Sequence, residues 1–283
     1  MRTLVFGGTG IGGSALVREC RGRGWPVLGL SRGQGEVTDR RRVDEICAAF
    51  RPDLIVNCAA FTKVDLCESD PAQAFAVNGT AVGNLVRAAA GAGARLVHLS
   101  TDYVFDGRAT APCSEEHPTA PQSVYGASKL AGEELALADG RTLVVRTSWV
   151  FGSGGANFVD TIAGRIRGGQ KSFRVVRDQL GAPTFAPFLA RAVADLGEWG
   201  ASGLVHYRNR PTVSWYEFAQ EIAGRLDPAV EVTPIPTSEA LRPAPRPAYS
   251  VLAVDRFEKL AGRRVESWQD GLTSHLGQRQ RSS

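Results

Sequence analysis

The feature that most limits what this chain can fold into lies at its start. An apolar run over residues 3–6 passes straight into Gly7-Gly8-Thr9-Gly10-Ile11-Gly12-Gly13. The stretch satisfies G-x-x-G-x-x-G counted from Gly7 and G-x-G-x-x-G counted from Gly8, so its register is open. Glycine permits a tight strand-to-helix turn, and the missing Cβ lets the N–H groups of a helix N-terminus approach a pyrophosphate. Turns also collect glycine for purely conformational reasons, so the motif gains weight from its place between a strand and the helical residues 14–20.

The same alternation continues through the first half. Residues 4–6, 27–30, 54–60, 96–100 and 143–150 read as strands, separated by Ala- and Arg-rich helical stretches such as 70–92, where Pro71 suits a first turn and Gly91 and Gly93 mark the end. This pattern predicts βαβ units and a doubly wound parallel sheet, an α/β fold. After Val150 the glycine-rich 152–155 loop opens a region of shorter segments, and a second lobe is expected there. The predicted division gives residues 1–151 to the sheet domain, with a return segment at about 184–205. Residues 152–183 and 206–276 go to the smaller lobe, and 277–283 to a disordered tail. Pro183 and Pro187 bracket a helix at 188–199. Ser214-Trp215-Tyr216-Glu217 has capping-box form ahead of 218–226, and the prolines between 228 and 247 favour an extended path.

A chain of 283 residues suits one domain with a smaller lobe. Composition is that of an ordinary globular protein, 43% hydrophobic and 22% charged, with no apolar run of the roughly 20 residues a membrane span needs. No export signal precedes the first strand, so a cytoplasmic location is expected. The five cysteines contain no C-x-x-C pair and are expected as free thiols; the four histidines are scattered, and no metal site is expected. The net charge of +4 is carried by arginines spread along the chain, which argues against a nucleic-acid partner or a membrane surface.

Three further places carry chemistry. The second strand ends in Ser31-Arg32 without the acidic residue that would bind a ribose 2′-hydroxyl. A hydroxyl and a guanidinium there suit a 2′-phosphate and favour NADPH, with NADH left open by the nearby Glu36. Tyr125 and Lys129 form a Y-x-x-x-K pair, one turn apart on one helical face, and about 0.07 such pairs are expected by chance. A nearby ammonium lowers a phenol's pKa, which would let Tyr125 exchange a proton with a carbonyl oxygen. Thr101 follows the strand 96–100, at the carboxyl end where open α/β sheets keep their ligands. A strand-end threonine is ordinary turn chemistry by itself; with Tyr125 and Lys129 it makes a hydroxyl, phenol and ammonium trio.

With the glycine turn, the segments RPDLIVNCAAFTKVDLCE (51–68), STDYVFDG (100–107), YGASKLAGE (125–133), RTSWVFG (146–152), DQLGAPT (178–184) and RPAYSVL (246–252) resemble the dTDP-4-dehydrorhamnose reductase family of the extended short-chain dehydrogenases, over nearly the whole chain. The resemblance implies a Rossmann-type sheet with a C-terminal substrate-binding lobe, and Thr101, Tyr125 and Lys129 as the catalytic trio. It implies cofactor contacts from Gly7, Thr9, Gly10, Ile11, Gly12, Glu36, Val37, Ala59, Ala60, Phe61 and Thr62, beside Ser31 and Arg32. Substrate contacts are implied from Asp102, Tyr103, Trp149, Asn157, Gln179 and Arg246. Phe61, Glu36 and Tyr249 depart from the residues usual in the family, which leaves the sugar open more than the reaction. The expected activity is NADPH-dependent reduction of a nucleotide-linked 4-keto-6-deoxy sugar, dTDP-linked by resemblance, in a chain for which the family admits a homodimer. The competing readings are an epimerase or dehydratase holding NAD, and a non-catalytic NADP-binding regulatory subunit.

Overall fold

A computed structural model describes residues 1–280. In chain order it begins with β1 (Thr3–Phe6), α1 (Ile11–Gly22), β2 (Val27–Leu30), α2 (Arg40–Phe50) and β3 (Leu54–Asn57). It continues through α3 (Val64–Ser69), α4 (Pro71–Phe75), a π-helical turn (Ala76–Thr80), α5 (Ala81–Ala92), β4 (Arg95–Thr101), α6 (Val124–Leu137) and β5 (Leu143–Thr147). The remainder comprises β6 (Val150–Phe151), α7 (Phe158–Arg167), β7 (Ser172–Val176), β8 (Leu180–Gly181), β9 (Thr184–Phe185), α8 (Ala186–Glu198), β10 (Gly203–His206), β11 (Val213–Ser214), α9 (Trp215–Leu226), β12 (Glu231–Ile235), α10 (Asp255–Ala261) and α11 (Trp268–Gln280).

Six strands form one parallel sheet in the order β10-β5-β4-β3-β1-β2. Both faces are covered, which is why its strands read as continuous apolar runs. Side chains alternate between the faces. Val5, Val56, Val97, Val145 and Val205 pack with Leu16 of α1 and Leu189 and Val193 of α8, whereas Leu4, Phe6, Ile55 and Leu96 pack with Val43 of α2 and Leu85 of α5. The chain leaves this sheet after β5 and returns to it with α8 and β10. Between and after lies a second core, in which Phe151, Ile162, Phe173, Phe218, Ile222, Trp268 and Leu272 meet. Three two-stranded sheets, β7 with β12, β8 with β11 and β6 with β9, accompany it. Among the described residues no helix is long and apolar enough to cross a membrane, and all five cysteines are free.

Several expected boundaries shift for local reasons. The strand expected to reach residue 60 stops at Asn57, whose side-chain oxygen accepts the N–H of Ala59 and turns the chain out of the sheet. The run 143–150 is broken after Thr147. Ser148 donates to the carbonyl of Ala182, and Trp149 takes a φ of 46°, so Val150 pairs with β9 instead of extending β5. The helical stretch from Pro71 to Ala92 is continuous but widens to π geometry at Ala76–Thr80, where buried Asn78 grips Phe61 and Ser128. The capping box forms as read, with Ser214 Oγ accepting from Glu217 N–H at 3.1 Å and Glu217 accepting from Ser214 N–H at 2.7 Å. The tail expected to lose order from 277 is helical as far as Gln280, because buried Leu272, His275 and Leu276 anchor α11; residues 281–283 lie outside the described ones.

One charged pair sits wholly inside the sheet domain. The guanidinium of Arg146 on β5 donates to both carboxylate oxygens of Glu133 on α6, at 2.6–3.1 Å, with side chains 4% and 1% exposed. Removing one partner strands a buried charge, whereas removing both for apolar groups does not. Arg146→Met should therefore lower stability in urea unfolding by about 3–5 kcal/mol, and adding Glu133→Leu should recover most of the loss; equal losses in the single and double variants would refute this account.

Candidate functional site

The carboxyl ends of β1, β3, β4 and β5 open on a cavity of about 690 Å³. Its floor is set by glycine packing of two kinds. Gly13 is required by the protein itself, since a Cβ there would lie 2.1 Å from the Gly7 carbonyl oxygen. Gly10 and Gly12 are not, because a Cβ on either would meet only ordinary contacts, at 3.4 and 3.6 Å, and both line the cavity. Glycine at these positions keeps space free on the ligand side. Helix α1 starts at this point without any side-chain cap, so its first N–H groups have no side-chain acceptor. Bare amides, the helix dipole and open space together fit the pyrophosphate of a dinucleotide. Deeper in, the Ser100 hydroxyl lines the cavity, buried and unpartnered, as a group that a ligand would satisfy.

Helix α6 carries the phenol and the amine. Ser123 caps it by accepting the N–H of Gly126, and two glycines let it lie close to neighbouring backbone. A Cβ on Gly126 would be 2.2 Å from the Tyr103 carbonyl oxygen, and one on Gly132 2.1 Å from that of Asn78. This approach puts Tyr125 edge-on to Tyr103, ring centroids 5.5 Å apart, and in hydrogen-bond contact with the Thr101 side chain. Lys129 donates to the Leu99 carbonyl at 2.7 Å and meets His98 Nε2 at 3.3 Å. Thr101 Oγ1 donates to Asp102, and Asp102 also accepts from Ser250. Burial raises Asp102 to about 6 against the pull of those two bonds.

The electrostatics correct one sequence expectation. Burial pushes the Tyr125 phenol above its ordinary value, with the Thr101 hydrogen bond only partly offsetting it, and no pull from Lys129 overcomes this. The amine itself falls to about 8, through burial. Desolvation outweighs the mutual effect of the pair, so in the chain alone Tyr125 is a protonated acid.

Of the residues expected at the site, Gly10, Ile11, Gly12, Ala60, Thr62, Thr101, Asp102, Tyr103, Tyr125, Lys129 and Trp149 line the cavity. Trp149 is clamped there. It stacks on Trp215 with centroids 3.6 Å apart and presses on Gly181, where a Cβ would sit 2.5 Å from its ring. Others have different partners. Asn157 caps α7 and donates to the carbonyls of Gly152 and Gly155, so it shapes the loop instead of lining the cavity. Gln179 donates to Thr237, and Arg246 pairs with Asp65 at 2.6 Å while bonding Tyr103. Val37 is turned into the core, Ala59 gives its N–H to Asn57, Phe61 is tied to Asn78, and Gly7 is packed against Ala59. Thr9 is exposed beside the turn. Ser31 bonds Gln34, and exposed Arg32 pairs with Glu36 at 3.7 Å, outside the cavity wall. Nothing in the sequence alone singles out Ser100, Lys63, Trp215 or His98 as site residues. Trp215 stands inside the capping box, where its neighbours explained the motif without it.

The family described as the RmlD substrate binding domain matches residues 1–281. The chain is 40% identical over 281 residues to the dTDP-4-dehydrorhamnose reductase of Streptomyces griseus, covering 96% of this chain and 92% of that one. It is 38% identical over 279 residues to the spore coat polysaccharide biosynthesis protein SpsK of Bacillus subtilis (strain 168), covering 98% of each. Its structure is similar to that of the dTDP-4-dehydrorhamnose reductase of Bacillus anthracis str. Ames in complex with NADP, with a TM-score of 0.93 and 33% identity over 98% of this chain and 99% of that one.

The two kinds of glycine separate folding from binding. Gly12→Ala should fold with unchanged or higher Tm, as expected for glycine to alanine in a helix, yet bind a dinucleotide at least tenfold more weakly by fluorescence titration. Gly13→Ala should fail to fold. Undiminished binding by Gly12→Ala would show that the space beside it serves no ligand.

Proposed function

The chain belongs to the RmlD substrate binding domain family, and from that premise we propose that it reduces the 4-keto group of a nucleotide-linked 4-keto-6-deoxy sugar with NADPH. The observation that carries the reading is the buried Tyr125 phenol, kept protonated beside Thr101 at the mouth of an uncapped helix N-terminus. NADPH, when bound, would supply the hydride. What the chain must add is one proton and the alignment of the carbonyl. Tyr125 gives its proton to the oxygen as that oxygen becomes an alkoxide, and the Thr101 hydroxyl, which donates to Asp102 in the open site, turns its one proton from that carboxyl to the same oxygen. Gly10, Ile11 and Gly12 would hold the dinucleotide's phosphates, and Lys129, Ser100, Ala60 and Thr62, which line the same cavity, would contact the rest of it.

The substrate reading rests on the same membership. Relatives carry the name dTDP-4-dehydrorhamnose reductase, and one such structure holds NADP. A dTDP-linked sugar is the proposed substrate and the cytoplasm its place of reduction. In the proposed division, residues 1–151 with the return segment at about 184–205 hold the dinucleotide. Residues 152–183 and 206–276 hold the sugar nucleotide, with Trp149 and Trp215 offering an apolar wall at the boundary. The Ser31-Arg32 end remains the proposed contact for the 2′-phosphate; Arg32 is exposed and held only by a loose pair with Glu36, so it is free to turn to an anion.

Oxidation of NADPH, followed by absorbance with dTDP-4-keto-6-deoxy sugars of differing stereochemistry and with NADH in parallel, tests this directly. Turnover of at least one sugar is expected, and Tyr125→Phe should reduce kcat by about 10²–10⁴-fold with dinucleotide affinity little changed. Near-parental turnover by that variant would remove Tyr125 from the mechanism. Activity without added NADPH, from protein carrying NAD, would replace reduction by epimerisation or dehydration.

A further inference from the structure

His98 lies on β4, fully buried, and touches two groups. Its Nδ1 is 3.0 Å from the side-chain nitrogen of Asn57, and its Nε2 is 3.3 Å from Lys129 Nζ. The direction of these bonds can be worked out from one end. The Ala59 N–H is only a donor, and it points at Asn57 Oδ1 from 3.0 Å, which fixes the oxygen on that side. The other end of the amide is therefore NH₂, and it donates to His98 Nδ1. Burial holds His98 well below its ordinary pKa, so the ring is neutral and carries one proton. With Nδ1 accepting, that proton is on Nε2 and is directed at Lys129.

An ammonium has no lone pair to receive it. A neutral amine does, and it still has N–H groups with which to donate to the Leu99 carbonyl at 2.7 Å. Every polar atom in the row from Ala59 N–H through Asn57 and His98 to Leu99 O then has a compatible partner. A charged lysine would set N–H against N–H in a buried site. We propose that His98, fixed by Asn57 as its Nε2–H tautomer, donates to the amine form of Lys129 and so weakens that side chain's hold on its last-added proton, making Asn57 and His98 positioning residues for the charge of the site.

The other ionisable groups around Lys129 do not reverse this. Glu133, one turn along α6, favours the ammonium, but its charge is matched by Arg146 from β5. Cys58, at the end of β3, has its thiol pushed up to about 12 and is neutral. Tyr125 is protonated, and Asp102 beyond it is engaged by Thr101 and Ser250. Removal of Lys129 from water lowers it to about 8, in line with the donor and acceptor count. The amine thus changes charge near neutral pH, and above about 8 the cleft loses a cation that the chain needs when an anionic dinucleotide is bound. That last consequence rests on the reductase reading; the tautomer and the charge do not.

The test is NMR on the whole chain. Four histidines and four lysines keep the spectra simple. Nitrogen shifts of ¹⁵N-histidine protein should show His98 as the Nε2–H tautomer, and ¹³Cε-lysine protein should give Lys129 a midpoint near 8, assigned by its loss in Lys129→Met. In His98→Leu the midpoint should rise at least threefold in proton affinity, because a donor to the amine has gone. An Nδ1–H tautomer, a parental midpoint at the ordinary lysine value, or a midpoint that falls in His98→Leu would each overturn the proposal. The parental measurements decide the matter even if the leucine variant does not fold. The falling alkaline limb of kcat/KM should move up with the midpoint in His98→Leu. Absence of NADPH oxidation with the NMR results as expected would overturn the reductase reading and leave the tautomer standing.

Discussion

How closely α6 can lie against the backbone beside it decides what the reaction centre can be. Gly126 and Gly132 bring the helix onto the carbonyls of Tyr103 and Asn78 with no room for a methyl group at either point. The Tyr103 carbonyl belongs to the turn that follows β4, and the Asn78 carbonyl to the π-helical turn ahead of α5. The helix is thus positioned from two sides by main chain, which cannot adjust as a side chain would. Tyr125 and Lys129 inherit that placement: the phenol reaches Thr101 and the amine reaches the Leu99 carbonyl. The widened helical turn belongs to the same arrangement, since Asn78 also fastens Ser128 of α6 and the Phe61 loop.

Legibility in the sequence followed distance along the chain. The parallel sheet, the glycine turn, the capping box at Ser214 and the Tyr125–Lys129 pair are written in periodicities and spacings of a few residues, where rules of local geometry apply. Strand ends were less readable. Asn57 and Ser148 stop their strands through bonds made by their own side chains, one to Ala59 and one to distant Ala182, and the apolar run gives no sign of either. The site residues that the reading passed over are those whose role depends on partners far away. His98 is one more residue of an apolar strand until Asn57 and Lys129 meet it, and Trp215 is one residue of a cap until Trp149 stacks on it. Asn157, which family likeness marks as a ligand contact, performs the N-cap task its chemistry suits.

The charges of the site are controlled by desolvation more than by pairing. The sequence suggested that a neighbouring ammonium would draw the tyrosine down; burial instead raises the phenol and lowers the amine, driving both toward neutrality. Asp102 follows the same rule and rises to about 6 despite hydrogen bonds from Thr101 and Ser250. Arg146 and Glu133 are the contrasting case, two groups in the same interior joined carboxylate to guanidinium, each the other's counter-ion. A buried interior can thus hold a neutral phenol and an ion pair side by side, with geometry deciding which is which.

The bond from Ser250 to Asp102 joins residues 148 positions apart, and Cys113 is bridged to Leu252 beside it. Thr101, Tyr125 and Lys129 all leave the ribosome long before Ser250 does. The wall behind Asp102 is therefore supplied by chain far downstream of the glycine turn and the phenol. A chain cut short before residue 250 would keep its motifs and lose the Ser250 bond to the Asp102 carboxyl.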